Sequence, residues 1–285
     1  MSALAPFELH RPGSVAEASE LLVSLGDQAV IYSGGTELLL VAKMGFTDFT
    51  ALVDVKGIPE LTSLSVNGEL SIGGAVTHRQ VERAESVLSG WPALAEMERH
   101  VGNVRVRNTG TIGGNLCFAD PHSDPATFLL AVGGELALQR GDTPARRLGV
   151  DEFVRGPWMT ALEPGELLVS VHVPRLGDGV LVAHRKISFR ERPAATVAVR
   201  LDVSDGVIAA ARVAVGSVNV RPVLLQAADE LLRGAEVAAV DLAAVGRAAG
   251  AEAEPVADLN GSVEYKRQLV RVLTERTLAA ALLQA

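Results

Sequence analysis

The stretch VRNTGTIGGNLCFADPHSDPATFLL, residues 106–130, holds a glycine pair, two acidic residues around a histidine, and the only cysteine of the chain. Asp124 followed by proline suits a helix N-cap with proline at the first helical position, so a helix is predicted from there to the glycine pair at 133–134. Gly113 and Gly114 lie shortly before it. Glycine lets a ligand come close to the backbone, and a helix N-terminus favours an anion. The stretch therefore predicts an anion-binding turn.

A second segment has the same layout. SGGT, residues 33–36, follows the short apolar strand QAVIY and precedes a predicted helix, TELLLVAKMG, that ends at Gly45. Most glycine pairs are plain turns, and that interpretation stays open for both segments. The sequence contains neither G-x-G-x-x-G nor a P-loop, so the standard nucleotide-binding signatures do not apply.

Asp120, His122 and Asp124 stand at alternate positions, and on an extended segment they would share one face. Oxygen and imidazole groups in this arrangement can bind a metal. The alternative is a helix cap at Asp124 and a loop histidine, which is favoured because no further ligand nearby completes the set. Cys117 lies in an apolar context without a base, which indicates a buried structural thiol. No metal site and no catalytic residue is predicted.

The composition is that of an acidic globular protein. The 285 residues are 48% hydrophobic, with a net charge of -8 and a pI of about 5.3. This charge argues against nucleic acid or an anionic membrane surface as a partner, because both attract clustered Lys and Arg. The sequence shows no signal peptide and no apolar run of the roughly 18 residues that span a bilayer, so a cytoplasmic protein without membrane insertion is expected. One cysteine cannot hold an iron–sulfur cluster, which takes about four thiolates.

Short helices and strands alternate along the chain, and several strands are joined by tight hairpins, with turns at Asn67-Gly68 and at Ser204-Asp205-Gly206. This pattern favours an α+β fold over a doubly wound parallel sheet. The character of the sequence changes near residues 174–179. We therefore predict two domains, residues 1–176 and residues 177–285, the second ending in a long helix.

Five segments in order resemble the FAD-binding medium subunit of the molybdenum hydroxylases, a family that includes the carbon monoxide dehydrogenase flavoprotein and the flavin domain of xanthine dehydrogenase. The segments are FELHRPGSVAEASELL (7–22), YSGGTELLLVAK (32–43), VRNTGTIGGNLCFADPHSD (106–124), FVRGPWMTALEPGELLVSVHVP (153–174) and GSVEYKRQLVRVLTERTL (261–278). The resemblance covers nearly the whole chain. It implies a two-lobed α+β FAD-binding domain of the PCMH type, followed by a small α+β C-terminal domain with an antiparallel sheet and helices.

The resemblance also implies the residues that bind FAD. Gly34, Gly35 and Thr36 would wrap the pyrophosphate, Asp124 would bond the ribityl chain, and Lys186 would lie near the isoalloxazine, unless it is a solvated strand lysine. The full set comprises a first loop, a second loop and five outlying residues: Ile31, Tyr32, Ser33, Gly34, Gly35, Thr36, Glu37 and Leu38; Thr111, Ile112, Gly113, Gly114 and Asn115; and Val101, Gly102, Asp124, Leu168 and Lys186.

Two departures from the family pattern are visible. Glu37 stands where many relatives have aspartate, and an arginine pair near the flavin is only loosely matched by HRKISFRERP, residues 184–193. No histidine or cysteine stands where a covalent flavin link would form, so non-covalent FAD is expected.

By this resemblance, the chain is an electron-transfer subunit. A large molybdenum subunit would hydroxylate the substrate, and a small subunit would carry two [2Fe–2S] clusters. FAD on this chain would pass the electrons to an external acceptor. The three chains would form a heterotrimer, which can itself dimerise. Two alternatives remain open: a stand-alone FAD-dependent oxidoreductase that acts directly on a small molecule, and a flavin-free binding protein.

Overall fold

The computed structural model describes residues 4–189 and 192–285. The first lobe contains β1 Glu8–His10, α1 Val15–Leu25, β2 Ala29–Tyr32, α2 Leu38–Lys43, β3 Ala51–Asp54 and α3 Pro59–Thr62. Its strands form a parallel sheet in the order β1-β3-β2, because α1 provides the crossover between β1 and β2. The Ser14 hydroxyl caps α1 by accepting from Glu17 N at 3.2 Å, and the helix ends at Gly26, which has φ 54°.

The second lobe is built on an antiparallel sheet. It contains β4 Leu64–Asn67, β5 Glu69–Gly73, α4 His78–Arg83, α5 Glu85–Gly90, α6 Pro92–Arg99, α7 Val104–Thr109, α8 Ile112–Phe118, α9 Asp124–Val132, β6 Glu135–Gln139, β7 Arg146–Gly149, α10 Val150–Phe153, β8 Val154–Gly156, β9 Met159–Thr160 and β10 Leu167–Val173. The main strands follow the order β4-β5-β10-β6-β7, and Gly68 forms the predicted hairpin turn at φ 74°. Helix α9 is buried along its whole length, so it forms the centre of the lobe's core.

The C-terminal unit contains β11 Val180–Ser188, β12 Pro193–Ser204, β13 Val207–Gly216, β14 Val223–Leu224, α11 Gln226–Leu232, α12 Leu242–Glu252 and α13 Val263–Leu282. Its antiparallel sheet runs β11-β12-β13-β14 and carries the helices on one face, with a core of its own. Asp205 and Gly206 have φ 51° and 76°, the left-handed pair that a tight hairpin needs. The predicted turn between β12 and β13 is therefore confirmed, and so is the α+β fold class.

Two local predictions were wrong. Helix α9 is capped by Ser123, whose hydroxyl accepts from Ala126 N at 3.1 Å, whereas Asp124 is the first helical residue. Residues 111–115, predicted as a loop, are instead the N-cap Thr111 and the first residues of helix α8. The segment HRKISFRERP includes residues 190 and 191, which lie outside the described residues. Within the described chain, no helix has both the length and the apolarity to cross a bilayer.

Candidate cofactor site

A cleft of about 260 Å³ separates the two lobes, with the loop after β2 on one side and the start of α8 on the other. Its volume is close to the lower end of the range typical of small-molecule pockets, about 300–1,000 Å³, so a dinucleotide would extend beyond it. Twelve of the predicted site residues line it: Ile31, Ser33, Gly34, Gly35, Thr36, Glu37, Leu38, Thr111, Gly113, Gly114, Asn115 and Leu168. The structure thus brings both glycine pairs and Leu168 to one place.

The first wall of the cleft presents free backbone donors. The N–H groups of residues 34–37 have no acceptor within the described part of the chain. Gly35 has φ 69°, a conformation that bends the backbone and that other residues rarely adopt. Successive N–H groups at such a bend form an anion-binding concavity. This wall therefore has the chemistry that a pyrophosphate requires.

The second wall is different from the prediction, because its N–H groups are already bonded. Gly113 N donates to Gly74 O at 3.0 Å, Gly114 N to the Thr111 hydroxyl at 3.0 Å, and Asn115 N to Thr111 O at 2.9 Å. The Thr111 hydroxyl also lies 3.1 Å from that of Ser33, which joins the two walls. The second glycine pair thus contributes a bare surface rather than a set of donors.

The glycines of the cleft differ in what a side chain would meet. A Cβ at Gly34 would lie 2.5 Å from Thr109 O, and one at Gly113 would lie 2.4 Å from Gly74 O, so these two positions allow close backbone packing. A Cβ at Gly114 would meet only the Thr111 hydroxyl, at 2.8 Å. Gly114 is therefore the position where bulk would enter the cleft without a clash against the backbone.

Lysine and arginine are absent from the described lining of the cleft, and Glu37 is the only carboxylate there. His78 at its base is buried and lies 2.6 Å from the buried Glu98 carboxylate. This pair could not be predicted from the sequence, since no local pattern links two residues on different helices. An anion in the cleft must therefore be held mainly by backbone N–H groups.

Asp124 lies outside the cleft wall and is only 4% exposed. Its Oδ2 lies 2.5 Å from Lys186 Nζ, and its Oδ1 accepts from the Thr196 hydroxyl at 3.2 Å. Lys186 is only 15% exposed, so it is not a solvated strand lysine. Burial lowers the pKa of the adjacent His184 to about 4, which keeps that ring neutral. Lys186 lines a separate groove of about 770 Å³ between α6, β11 and α13.

Replacing Asp124 by alanine is expected to destabilise the fold strongly. The change would leave the Lys186 ammonium without its partner in a buried setting, which costs about 3–5 kcal/mol of the free energy of unfolding. Asp202→Ala is the control, because Asp202 pairs with Arg200 at a partly exposed position and should cost about 1 kcal/mol or less. Urea unfolding of both variants tests this expectation; equal losses would contradict it.

The other predicted site residues lie apart from the cleft. Val101 is buried in the core after α6, and Gly102 follows it at φ 48°. Ile112 is also buried in the core, although its neighbours line the cleft. The Tyr32 ring lies beneath Lys56 Nζ, 3.7 Å from the ring centroid.

The alternating Asp-His-Asp group does not converge. His122 Nδ1 lies 2.8 Å from Asp120 Oδ1, whereas Asp124 is turned towards Lys186. Within residues 4–189 and 192–285, no three His, Cys, Asp or Glu side chains gather as a metal site. Asp120 and His122 therefore pair with each other, while Asp124 pairs with Lys186.

Cys117 lies in the cleft wall and is half-buried, although its thiol packs against the apolar core. Burial raises the pKa of the thiol to about 12. At pH 8 only about one thiol in 10⁴ would be ionised, so alkylation should be about 10³-fold slower than in the unfolded chain. Iodoacetamide labelling with and without denaturant measures this difference; comparable rates would show that the thiol is not shielded.

The geometry fits FAD. The first wall offers N–H donors to a pyrophosphate, and the glycine surface opposite leaves room for it to approach the backbone. Leu168 adds an apolar surface to the same cleft. These features could hold FAD without a Lys or Arg in the described lining of the cleft.

Comparisons with known proteins agree with this assignment of the cleft to FAD. The family described as "FAD binding domain in molybdopterin dehydrogenase" matches residues 5–176, and "CO dehydrogenase flavoprotein C-terminal domain" matches residues 186–281. The carbon monoxide dehydrogenase medium chain of Hydrogenophaga pseudoflava is 32% identical over 278 residues, with 96% of each chain covered. The nicotine 6-hydroxylase medium subunit of Paenarthrobacter nicotinovorans is 30% identical, with 95% of each chain covered.

A solved structure leads to the same conclusion. The fold superposes on carbon monoxide dehydrogenase from Hydrogenophaga pseudoflava, in a form that lacks the Mo-pyranopterin moiety, with a TM-score of 0.94 and 31% identity over the whole of both chains. The resemblance inferred from the five sequence segments is thereby confirmed, as are the two-lobed fold and FAD as the cofactor. The chain belongs to the FAD-binding medium subunits of the molybdenum hydroxylase family, the flavoprotein components of oxidoreductases such as carbon monoxide dehydrogenase and xanthine dehydrogenase.

Proposed function

We propose that this chain is the electron relay of a three-subunit molybdenum hydroxylase. Electrons would reach it from the [2Fe–2S] clusters of a small partner subunit, after substrate hydroxylation on a large molybdenum subunit. They would leave through FAD to an external acceptor. The observation that carries the proposal is the row of free N–H groups at residues 34–37, which forms a site for the FAD pyrophosphate on a chain without a metal-ligand set among its described residues.

FAD supplies the chemistry of accepting and releasing electrons. In the proposed arrangement, residues 34–37 hold its pyrophosphate and Thr111 with Gly114 forms the facing surface. The remaining predicted contacts, at Val101, Gly102, Asp124 and Lys186, lie outside this cleft. Lys186 would place a positive charge near the flavin, held in position by its ion pair with Asp124.

The cysteine content supports a division of labour between chains. Cys117 is the only cysteine, so the chain cannot supply the thiolates of an iron–sulfur cluster. Its thiol is shielded and its pKa is raised to about 12, which suits a structural role. Clusters that feed the flavin must therefore belong to another subunit. The partners we propose are the molybdenum subunit and the [2Fe–2S] subunit, in a cytoplasmic heterotrimer.

The two matched family regions support a boundary between residues 176 and 177, in the segment between β10 and β11. In this division the first domain provides both walls of the cleft. The second provides Lys186 and the residues that pack beside it. The proposal is that both domains are needed for a complete flavin site, although only the first holds the pyrophosphate.

Purification from the native source tests the assembly. We expect two further chains to co-elute with this one, together with molybdenum and iron measured by elemental analysis. A protein that elutes alone, carries FAD and lacks both metals would instead support the stand-alone oxidoreductase. An oligomer of this chain with no other subunit would also contradict the heterotrimer.

A further inference from the structure

Arg192 connects the C-terminal unit to both sides of the cofactor cleft. Its Nη2 donates to Glu37 Oε2 at 3.0 Å, and its Nη1 lies 2.5 Å from Asp120 Oδ2. Glu37 belongs to the first wall, directly before α2, and Asp120 follows α8, which forms the second wall. Arg192 itself stands directly before β12. One guanidinium therefore bridges a carboxylate of the first wall and a carboxylate just beyond the helix that forms the second wall.

Asp120 is firmly held in this position. It accepts from His122 N at 2.9 Å and lies 2.8 Å from His122 Nδ1. Burial opposes its ionisation, but the hydrogen bonds from His122 and the charge of Arg192 lower its pKa below the usual value. His122 Nε2 in turn lies 3.7 Å from Asp258, which pairs with the buried Lys266 at 2.8 Å. The contact of Arg192 is thus one end of a charged network that reaches α13.

The carboxylate of Glu37 lies beside the proposed site of the FAD pyrophosphate. It is the only carboxylate in the described lining of the cleft, and the backbone N–H of Glu37 is one of the free donors. The pyrophosphate of FAD is doubly negative, and the lining provides no Lys or Arg to offset a carboxylate beside it. Arg192 supplies that compensation from outside the lining. Without it, Glu37 would repel the group that its backbone is placed to bind.

We propose that Arg192 is the clasp of the cofactor cleft: by bridging Glu37 and Asp120 it ties both walls to the C-terminal unit and slows the release of FAD. The proposal rests on the placement of the pyrophosphate at residues 34–37. Arg192 acts as a positioning residue, since its partners are protein carboxylates. It also gives the C-terminal unit a role in retaining a cofactor that is held mainly by the other two lobes.

The test measures the rate of FAD release from the FAD-loaded full-length chain, followed by the recovery of flavin fluorescence after dilution. Arg192→Met removes the charge and keeps the aliphatic part of the side chain. We expect FAD release to be about tenfold faster, because two partly exposed ion pairs are lost. Arg192→Lys keeps the charge but cannot fork between two carboxylates, so its rate should be intermediate. Added salt should speed release from the parent chain more than from Arg192→Met.

A double variant separates the charge effect from a loss of structure. If Arg192 acts by compensating Glu37, then Glu37→Gln added to Arg192→Met should release FAD more slowly than Arg192→Met alone. A purely structural role would make the double variant at least as fast. Arg221→Met is the matched control, because Arg221 also joins the C-terminal unit to the second lobe, by donating to Asp151 O at 3.1 Å, away from the cleft. It should leave the release rate unchanged.

The outcomes distinguish the clasp from the site on which it rests. If Gly114→Val lowers FAD occupancy but Arg192→Met releases FAD at the parental rate, the cleft assignment holds and the clasp is wrong. If Gly114→Val retains full occupancy, the pyrophosphate placement is wrong and the clasp fails with it. Faster release from Arg192→Met, with partial reversal by Glu37→Gln and no effect of Arg221→Met, supports the proposal.

Discussion

The Gly114→Val protein is expected to bind FAD about 100-fold more weakly than the parent chain, and to be nearly colourless after gel filtration. A Cβ at this position meets only the Thr111 hydroxyl, at 2.8 Å, so the two methyl groups would extend into the cleft. They would also disturb a hydroxyl that caps α8 and contacts Ser33 across the cleft. Filling a close-packed site in this way costs about 1–3 kcal/mol, and each 1.4 kcal/mol is tenfold in affinity.

The measurement is a titration of the FAD-free protein with FAD, followed by flavin fluorescence. Gly90→Val is the matched control, because Gly90 also lies in a short helix and a Cβ there meets nothing within 4 Å. It should bind FAD as the parent does. Circular dichroism should show that Gly114→Val is folded. Gly113→Ala serves as the opposite control, because its Cβ would lie 2.4 Å from Gly74 O and should destabilise the fold itself.

A Gly114→Val chain that stays yellow with full occupancy would show that the pyrophosphate lies elsewhere. Backbone strain does not complicate the interpretation of this variant, since residue 114 has a helical conformation without a positive φ. Gly35 is different: it has φ 69°, and a Cβ there would lie 2.5 Å from the Tyr32 ring. A loss of FAD in Gly35→Val alone would therefore not separate the cofactor site from local backbone strain.

The first wall could be predicted from the sequence because its signals are local. Its glycines follow an apolar strand and precede a helix, and the observed bend at Gly35 has the positive φ that such a pair permits. The second wall was predicted as a similar loop and is a helix. Two glycines disfavour a helix locally, by about 1 kcal/mol each. They are accommodated here because the bare backbone of Gly113 packs against Gly74, a contact between distant segments that the local sequence does not show.

The choice of helix cap at α9 has a similar explanation. Ser123 and Asp124 are both good N-cap residues, and their order in the sequence does not decide between them. The carboxylate of Asp124 is turned away from the helix end by Lys186 and Thr196, which come from β11 and β12. That leaves the cap to Ser123, whose hydroxyl also donates to the Asn115 side chain at 2.5 Å. The clasp at Arg192 depends on contacts just as distant, with Glu37 155 residues away.

The second large effect concerns turnover: we expect the isolated chain to convert no substrate. FAD on this chain should be reducible by dithionite, which shows a competent flavin, yet the chain should hydroxylate nothing. The only cysteine has a shielded thiol, and no set of three metal-ligating side chains gathers among the described residues. These described residues therefore offer no ligand set for an iron–sulfur cluster, which is why we expect substrate oxidation to require the partner subunits.

Adding the cognate molybdenum and [2Fe–2S] subunits should restore substrate-dependent bleaching of the visible flavin absorbance, from undetectable to the rate of the complete enzyme. Electron transfer needs the cluster close to the flavin, so the subunits should bury an interface of standard size, about 1,200–2,000 Å² or more. The Gly114→Val chain is the control: assembled with the same partners, it should leave substrate oxidation intact with an acceptor that draws electrons upstream of FAD, and abolish transfer to the flavin-dependent acceptor. If the lone chain instead turns over a small molecule at roughly 1–10³ s⁻¹, the range of a complete enzyme, the stand-alone oxidoreductase is correct and the relay is wrong.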